Sequence, residues 1–548
     1  MNNPILAGMH PDPSWIWDEL REEAVLVNSS FELTPGLPIH VSRDLAHWTH
    51  VADAVRGDLA KRLFLDVAGD SGGLYAPTLR RIRGRYVIVC TTMRIDGEVA
   101  LAAGHTQAEL DAMNAARGNF VITSETIEGP WEGPYWVAGA HGIDPDVFED
   151  RDGTVFWTQT RPAADPQWDG QTEVWTQPID PETWQLAAWP DGGAGKVILW
   201  RGYGLDAVWA EGPHLYRFGG TGPDGDCVYL MTAEGGTGPE HSEMIMRAYA
   251  PSGFAAAVSR FMAEHPIDGP LPGERCVIGT GGDAKNRLFR ACKRNPILTH
   301  RHLGAAYPVQ CVGHADLMHH PDRGWWLTCL GVRESAGEHV SYLGRETFVA
   351  PVGWESGWPV VAPGLGRLPE RIGETETADE PFGDRVVRAG DPELLYVRGD
   401  GSKAYVRVDR LDFTVIAPVA GGLSLRQNDA HGMDVAIDAD GRIAVGRRHG
   451  STAGEQVAGS AVGSAMALED PTNTAIGLRL HDDRLTAFAC PLPDALRDDR
   501  DALMLLTAGM PKNATIVADL PAVFLSTDRA GGFVGCLAGV DAAEAGRK

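Results

Sequence analysis

The segment GRYVIVCTTM, residues 84–93, decides the fold, because runs of the same kind occur four more times in the first two thirds of the chain. Each run combines β-branched and aromatic residues next to turn-forming residues, which is typical of a buried strand. The other runs are EEAVLVNSSF from residue 22, GTVFWTQT from 153, DCVYLMTAEGG from 226 and GWWLTCLGVR from 324. Their spacing of about 62, 69, 73 and 98 residues indicates a loose repeat with insertions.

A repeat of this length has room for about four strands, and five such repeats predict a five-bladed β-propeller. An ordinary sandwich with five well-formed strands is the alternative that the spacing leaves open. We predict an all-β chain whose propeller covers residues 1–362. Two helical patterns, residues 107–117 and 252–266, are expected to be insertions in the repeats.

The composition changes after residue 362, where the chain becomes rich in glycine, proline and acidic residues. We predict a linker over residues 363–383. Beyond it, short alternating runs such as KAYVRV and TAIGLRLHDDRLTAFA are separated by turn residues. They predict a β-sandwich of jelly-roll or concanavalin-like type over residues 384–548.

Composition and charge narrow the class of protein. The 548 residues include 48 basic and 74 acidic side chains, for a net charge of −26, which argues against nucleic acid or an anionic membrane as a partner. No apolar run has the roughly 18 residues that a membrane span needs, and the first residues lack the features of a signal peptide. The eight scattered cysteines without a C-x-x-C pair indicate reduced thiols. We therefore expect a cytoplasmic protein, and the sequence leaves open whether it forms a homo-oligomer.

A short polar motif precedes each repeated strand run by about 9 to 15 residues. In a propeller the same element of every blade lines the central axis, so these motifs should converge on one mouth. They contribute three acidic residues, an aromatic residue and a histidine: Asp12 in HPDPSW, Tyr75 in GGLYAPTLR, Asp144 in HGIDPDVFED, Glu211 in VWAEGPHLY and His314 in VGHADLMHH. Asp146 and Glu149 compete with Asp144 for its place.

Three carboxyl groups in one cleft permit a specific reaction. Inverting glycoside hydrolysis uses one carboxylate to activate water and one protonated carboxyl group to protonate the leaving oxygen. A third carboxylate nearby raises the pKa of the acid by like-charge repulsion. Asp12, Asp144 and Glu211 could fill these three roles, and the sequence alone does not assign them.

The motifs, in their order along the chain, resemble those of glycoside hydrolase family 43. The similarity is greatest to its β-xylosidase and α-L-arabinofuranosidase members that carry a C-terminal β-sandwich. It covers residues 3 to about 362 well and the rest weakly. The matching motifs are NPILAGMHPDPS, SSFELTPGLPIHVSRDLAHW, GGLYAPTLR, GIDPDVFEDRDG, EGPHLY, NPILTHRHL, VGHADL and YLGRETFVAPVGWESGWPVV.

The resemblance implies roles for the three acidic residues. Asp12 matches the general base, Glu211 matches the general acid, and Asp144 matches the carboxylate that raises the pKa of the acid and orients it.

The resemblance also implies binding residues. Arg345 matches an arginine that reaches sugar hydroxyls, and Phe31 matches an aromatic wall of the pocket. Phe533 resembles a sandwich-domain segment that helps to close the pocket. His314 matches an axial histidine that in some relatives helps to hold a hydrated divalent cation, often Ca²⁺. The chemistry itself requires no cofactor.

Two departures from the family pattern affect substrate recognition. Tyr75 stands where the pattern has tryptophan, which could alter the balance between xylosides and arabinosides. The fourth repeat keeps Thr237 and His241, but residues 251–290 follow no pattern of the family. The surface near the leaving-group site is therefore not predicted.

The expected activity is that of an exo-acting inverting glycosidase. It would release terminal β-D-xylose, α-L-arabinofuranose or both from small oligosaccharides. A non-catalytic carbohydrate-binding propeller is the alternative, although a binding module needs neither an acid nor a base. A metal-dependent phosphate or nucleic-acid enzyme is disfavoured by the net charge and by the lack of a glycine-rich phosphate loop.

Overall fold

The computed structural model describes most of the chain. The described residues are 3–202, 209–218, 225–279, 287–372, 384–399, 401–438, 441–450, 460–461, 466–467 and 470–541. Residues 373–383 of the predicted linker lie outside this part of the chain. The predicted domain boundaries at 362 and 384 stay predictions.

Five antiparallel-based sheets follow one another over the described residues up to 361. The first two are built from buried runs rich in valine, isoleucine and leucine, as their sequences predict. The first sheet has the strand order β1-β2-β4-β5 and the second β10-β9-β8-β6, with β7 paired to β8. The strands of this part of the chain, of which β3 belongs to neither sheet, are β1 (Ser14–Asp18), β2 (Glu23–Val27), β3 (Leu33–Thr34), β4 (Gly36–Ser42), β5 (Thr49–Val55), β6 (Gly73–Leu74), β7 (Thr78–Ile82), β8 (Arg85–Met93), β9 (Asn119–Ser124) and β10 (Glu132–Trp136).

The third, fourth and fifth sheets continue in chain order. Their orders are β11-β12-β13-β15-β19, β16-β17-β18-β20 and β22-β23-β24-β25, with β14 and β21 paired at the side of β13 and β18. The strands are β11 (Ile143–Glu149), β12 (Val155–Pro162), β13 (Thr172–Asp180), β14 (Gln185–Leu186), β15 (Val197–Trp200), β16 (Ala210–Tyr216), β17 (Cys227–Glu234), β18 (Ser242–Tyr249), β19 (Arg275–Cys276), β20 (Arg290–Ala291), β21 (Leu298–Thr299), β22 (Val309–His320), β23 (Gly324–Arg333), β24 (Arg345–Glu355) and β25 (Trp358–Val361).

One strand of each sheet lies at the centre of the arrangement. The strand β1 contacts β7, β7 contacts β11, β11 contacts β16, β16 contacts β22, and β22 contacts β1 again. The sheets are therefore arranged radially about these inner strands, as in a propeller. Of the five predicted motif residues, Asp12 and Tyr75 lie just before the inner strands β1 and β7. Asp144, Glu211 and His314 lie within the inner strands β11, β16 and β22, so the five side chains can meet near one axis.

The described helices are short and lie mostly between strands. The predicted helical patterns are confirmed as α3, which begins with a Thr106 and Glu109 capping box, and as α4, which packs Phe254 and Val258 into the core between the third and fourth sheets. The helices are α1 (Asp58–Arg62), α2 (Gly97–Ala102), α3 (Gln107–Ala115), α4 (Phe254–Glu264), α5 (Asp494–Arg497) and α6 (Thr527–Ala530).

The C-terminal part forms two sheets that enclose a large apolar core. Their orders are β26-β37-β29-β35-β36-β38 and β28-β39-β30-β31-β32-β33, with β34 paired to β32. The strands of this part, of which β27 belongs to neither sheet, are β26 (Arg385–Arg388), β27 (Tyr396–Val397), β28 (Lys403–Arg407), β29 (Phe413–Pro418), β30 (Leu423–Arg426), β31 (His431–Ile437), β32 (Arg442–His449), β33 (Ser460–Ala461), β34 (Met466–Ala467), β35 (Thr474–His481), β36 (Arg484–Pro491), β37 (Ala502–Thr507), β38 (Thr515–Pro521) and β39 (Leu537–Asp541).

The two parts are joined by a strand pair and by shared apolar packing. The strand β27 pairs with β3, and Phe31 packs in one cluster with Leu395 and Val534. The predicted class, an all-β propeller followed by a sandwich, is confirmed. The number of five blades rests on the sequence repeat and stays a prediction, with which the five sheets agree. Among the described residues, none of the helices combines the length and apolar character that a membrane crossing requires.

Candidate active site

A cavity of about 990 Å³ brings together nine of the residues that the sequence singled out. It lies where the inner strands of the propeller meet the edge of the sandwich. The predicted residues in its lining are Asp12, Phe31, Tyr75, Asp144, Glu211, Thr237, His314, Arg345 and Phe533. Asp12 and Phe533 are the two of these residues that lie farthest apart in the sequence, so the site depends on the complete fold.

The backbone is unusual where the polar residues enter the cavity. Asp12, Asp144 and His314 have φ values of 50°, 55° and 50°, and Gly212 has a φ of 54°. Irregularities in strand register span Asp144, Gly212 and His314. A β-bulge of this kind redirects a side chain that would otherwise follow the strand alternation. Left-handed φ values in residues other than glycine cost energy and concentrate at functional sites.

Asp12 is held by donors on both carboxylate oxygens. The Ser29 hydroxyl donates to Oδ2 at 2.5 Å, and Arg345 Nη1 donates to Oδ1 at 2.6 Å. Only 4% of Asp12 is exposed. Because a carboxylate has about four acceptor positions, two remain for a water molecule in the cavity. Asp12 is thus fixed in place and still able to accept a proton from water.

Glu211 sits at the start of an inner strand, next to a backbone group held by two hydroxyls. Thr160 and Thr172 both donate to the carbonyl of Ala210, at 2.5 and 2.9 Å. Burial raises the pKa of Glu211 to about 8, and the negative charges of Asp144 and Asp12 add to the rise. The side chain is partly open to the cavity. A carboxyl group of this kind carries its proton at neutral pH and can donate it.

Asp144 is the acidic residue that the structure places beside Glu211. Its Oδ2 accepts a hydrogen bond of 3.1 Å from the amide of Gly212. Because Gly212 directly follows Glu211, this bond holds Asp144 next to the glutamate. Burial raises the pKa of Asp144, the neighbouring His314 opposes part of that rise, and the negative charge of Asp12 adds to it. Asp144 therefore faces Glu211 at close enough range for the two carboxyl groups to interact.

The two competitors of Asp144 lie elsewhere. Asp146 is fully buried below the cavity, where Arg80 Nη2 lies 3.2 Å from its Oδ1. Glu149 pairs with Arg83 at 2.9 Å near the surface. Neither lines the cavity.

A buried polar network supports the inner strands beneath the acidic residues. Arg80 Nη1 donates to Asp316 Oδ2 at 2.8 Å, and the Tyr216 hydroxyl donates to Asp316 Oδ1 at 2.7 Å. Arg80 also lies 3.1 Å from His214 Nδ1. Arg80 lowers the pKa of Asp316 to about 2 against the opposing effect of burial. Sequence reasoning missed this network, since the order of residues gives no sign that these side chains meet.

Three aromatic rings form one wall of the cavity. The rings of Phe31 and Phe533 stack with centroids 5.4 Å apart, and Tyr75 meets Phe31 edge-on at 5.3 Å. Arg345 lies over Phe31 and Phe533, 5.4 Å from each centroid. Its Nη2 is buried and has no hydrogen-bond partner in the part of the chain that the structure describes. That donor is available to a ligand hydroxyl.

A serine of the propeller, Ser71, holds Phe533 in the aromatic wall. The backbone amide of Phe533 donates to Ser71 Oγ at 2.9 Å, and the Tyr75 hydroxyl donates to the Ser71 carbonyl at 3.1 Å. The Ser71 amide in turn donates to Glu32 Oε2 at 3.0 Å. Glu32 lies 3.5 Å from Arg426 of the sandwich. The sequence indicated Phe533 and gave no sign of the residues that position it.

His314 lies against the polar floor, and Thr237 lies at the mouth. His314 Nδ1 is 3.8 Å from Asp12 Oδ1. A Cβ atom on Gly212 would lie 3.0 Å from His314 Nε2, so the imidazole packs directly on that glycine. Thr237 is exposed in the cavity lining. These contacts with Asp12 and Gly212 hold His314 in the site.

The expected cation near His314 is not confirmed. In the described residues, no group of three or more His, Cys, Asp or Glu side chains could hold a metal ion. Calcium prefers six to eight oxygen ligands, whereas His314 offers nitrogen. This donor set does not fit a cation held directly by the protein.

Trp209 extends the mouth and was not singled out from the sequence. It is 45% exposed, has a φ of 52° and lines the cavity two residues before Glu211. The closest approach that a Cβ atom on Gly236 would make to its ring is 2.2 Å, so glycine is required there. The signal available in the sequence was a tryptophan two residues before the glutamate of the EGPHLY motif.

Most glycoside hydrolases use a pair of carboxyl groups in one cleft, and this cavity offers such groups beside an apolar wall. The model of Glycosyl hydrolases family 43 matches residues 1–260 and 287–359. The chain belongs to this family, as the resemblance of its motifs predicted.

Known relatives agree with the family assignment. The chain is 34% identical over 375 residues to a xylosidase/arabinosidase of Butyrivibrio fibrisolvens, covering 68% of this chain and 58% of that protein. It is 32% identical over 360 residues to a non-reducing end α-L-arabinofuranosidase of Bacteroides ovatus, covering 66% and 53%. The chain thus spans little more than half the length of these curated relatives.

The fold of almost the whole chain is similar to that of a solved structure. A GH43_12 protein retrieved from a capybara gut metagenome matches with a TM-score of 0.71 at 22% identity. The match covers 99% of this chain and 94% of that one. Similarity at this level establishes the fold alone.

Proposed function

We propose that the protein is an exo-acting, inverting glycosidase that releases a terminal pentose from small oligosaccharides. The observation that carries the proposal is that Glu211, Asp144 and Asp12 meet in one cavity, where burial and the two neighbouring carboxylates raise the pKa of Glu211 to about 8. A carboxyl group that keeps its proton and a second that accepts one are the two groups that glycoside hydrolysis needs.

The cleavage step assigns a role to each acidic residue. Asp12 accepts a proton from a water molecule that attacks the anomeric carbon. Glu211 donates its proton to the glycosidic oxygen as the bond to the leaving group breaks. Asp144 keeps Glu211 protonated by repulsion and, through the Gly212 amide, holds the backbone that carries it. The atoms balance, since water supplies the hydroxyl group of the released sugar.

The remaining lining residues would bind the terminal sugar. The free Nη2 of Arg345 is placed to donate to a sugar hydroxyl. The stacked rings of Phe31 and Phe533 offer an apolar face to the sugar ring. Because Phe533 belongs to the sandwich, the second part of the chain closes one side of the cavity. A cavity closed in this way favours a chain end over the middle of a polymer.

The names of the relatives bear on the identity of the pentose. The curated relatives are named as xylosidases, arabinosidases and arabinofuranosidases. We propose that β-D-xylosides and α-L-arabinofuranosides are both substrates, with the Tyr75 ring among the groups that set the preference. Its hydroxyl is engaged by the Ser71 carbonyl, so the ring face rather than the hydroxyl would meet the sugar.

The first test compares rates on p-nitrophenyl β-D-xyloside and p-nitrophenyl α-L-arabinofuranoside, each with EDTA and with added Ca²⁺. We expect hydrolysis of at least one substrate, with a rate that neither addition changes, because no step of the mechanism uses a cation. Absence of hydrolysis on both, at protein concentrations that bind the sugar, would refute the proposal. A rate that EDTA abolishes and Ca²⁺ restores would contradict the metal-free mechanism.

A further inference from the structure

One side of the cavity mouth is formed by the connection between β8 and β9, residues 94–118. This connection contains α2 and α3 and is the helical insertion of the second sheet. Six of its residues line the cavity: Arg94, Ile95, Met113, Asn114, Arg117 and Gly118. The insertion therefore shapes the outer part of the cavity, beyond the acidic floor.

The two arginines that bracket this insertion belong to chain segments that are hydrogen-bonded to each other close by. The amide of Thr92 donates to the carbonyl of Gly118 at 2.9 Å, at the point where the two strands part. Arg94 follows Thr92 by two residues, and Arg117 directly precedes Gly118. Neighbouring strands hold such residues within reach of each other's side chains. Both arginines are exposed and have left-handed φ values of 56° and 52°.

Neither arginine pairs with a carboxylate in the described part of the chain. The guanidinium of Arg94 lies 5.5 Å from the ring centroid of Phe533, which places it above the aromatic wall. By contrast, Arg161 in the same lining is neutralised by Glu173 and Glu274, each at 2.7 Å.

The guanidinium groups of Arg94 and Arg117, unpaired with any carboxylate of the described residues, stand at this mouth, although the chain as a whole carries a charge of −26. The pKa of His141, another lining residue, is lowered first by burial and then by the positive charges of Lys196, Arg117 and Arg161. Two such arginines on an acidic protein offer an anionic group a local site of attraction.

We propose that Arg94 and Arg117 bind the carboxylate of a uronic acid in the leaving-group part of the substrate. The cavity of about 990 Å³ is large enough for more than one sugar, so a leaving sugar would lie beside the insertion. A guanidinium pairs with a carboxylate through two parallel hydrogen bonds. This inference rests on the proposed function and narrows its substrate to acidic oligosaccharides.

The test uses two pentosyl disaccharides that differ only at carbon 6 of the leaving sugar, glucuronic acid in one and glucose in the other. The readout is the ratio of kcat/KM on the acidic disaccharide to that on the neutral one. We expect Arg94→Gln and Arg117→Gln each to lower this ratio about fivefold, the effect of losing ~1 kcal/mol from a partly exposed charged pair. In 0.5 M salt the wild-type ratio should fall in the same direction.

The matched control is Arg323→Gln, which makes the same charge change at an exposed turn outside the cavity lining. It should leave the ratio at the wild-type value. Because the ratio is taken within each variant, partial loss of folded protein does not affect it. Equal ratios in all four proteins would overturn the proposal.

Failure of the proposed function can be distinguished from failure of this inference. If the wild type hydrolyses neither disaccharide and neither aryl pentoside, the enzyme assignment fails, and calorimetric binding of the two disaccharides then tests the arginines directly. Tighter binding of the acidic disaccharide that Arg94→Gln weakens would support the inference. Equal binding of both would overturn it.

Discussion

Replacing Glu211 by glutamine tests whether the buried carboxyl group carries a proton in the folded protein. Burial and two neighbouring carboxylates raise the pKa of Glu211 from 4.5 to about 8. Each pKa unit is worth about 1.4 kcal/mol, so the cost of ionising Glu211 has an upper limit of about 5 kcal/mol. Because water in the cavity screens part of this cost, we expect about 2 to 3 kcal/mol.

The sign of the pH dependence follows from the direction of the pKa shift. A carboxyl group whose pKa is higher in the folded than in the unfolded chain stabilises the fold most below pH 4.5. That contribution is lost as the pH rises through about 8. Wild type should therefore lose stability across this window, whereas Glu211→Gln cannot ionise and should lose less. The Tm of the variant should exceed that of wild type by a few degrees at pH 8.5 and by little at pH 4.5.

The measurement is a thermal unfolding series from pH 4.5 to 9 on both proteins. Glu182→Gln, at an exposed position outside the cavity lining, is the matched control and should show no change with pH relative to wild type. In the same window, kcat/KM of the wild type should fall above about pH 8, because the acid must be protonated. Parallel Tm curves for wild type and Glu211→Gln would refute the reasoning.

Three further substitutions test the groups around the acid. Asp12→Asn keeps the size of the side chain and removes the base, so kcat should fall about 10²- to 10⁴-fold in steady-state assays; a kcat within fivefold of wild type would contradict the role. Ser71→Ala removes the acceptor of the Phe533 amide, and KM should rise about fivefold, since such a hydrogen bond is worth ~1 kcal/mol; an unchanged KM would show that Phe533 is held by packing alone. Gly212→Ala adds a Cβ atom 3.0 Å from His314 at a left-handed φ and should cost ~1–2 kcal/mol of stability with a loss of kcat; thermal unfolding and activity equal to wild type would show that the backbone there adapts.

The sequence predicted those parts of the structure that depend on local pattern. The strand runs predicted the second strand of each sheet, and each polar motif lies in or just before the inner strand that precedes such a run. For that reason Asp12, Asp144, Glu211 and His314 could be placed together before any coordinates were known. The helical insertions followed from their 3.6-residue pattern in the same way.

The remaining parts depend on contacts between distant segments. The register irregularity that turns Asp144 toward the cavity arises from pairing with the next strand, which the sequence does not display. The same holds for the two threonines on the carbonyl before Glu211 and for the link from Ser71 to Phe533 across more than 460 residues. The expected hydrated cation near His314 came from family resemblance alone and is not confirmed, since no group of three or more His, Cys, Asp or Glu side chains in the described residues could hold a metal ion.

The central claim, that Glu211 is the proton donor and Asp12 the base, is tested most directly by changing the leaving group. Rates are measured for Glu211→Ala and Asp12→Ala on an aryl pentoside and on an unactivated pentosyl disaccharide. The mechanism predicts that Glu211→Ala loses the disaccharide reaction and retains much of the aryl reaction, because an aryl leaving group needs little protonation. Asp12→Ala should lose both. Equal losses on the two substrates for Glu211→Ala would contradict the assignment of the acid.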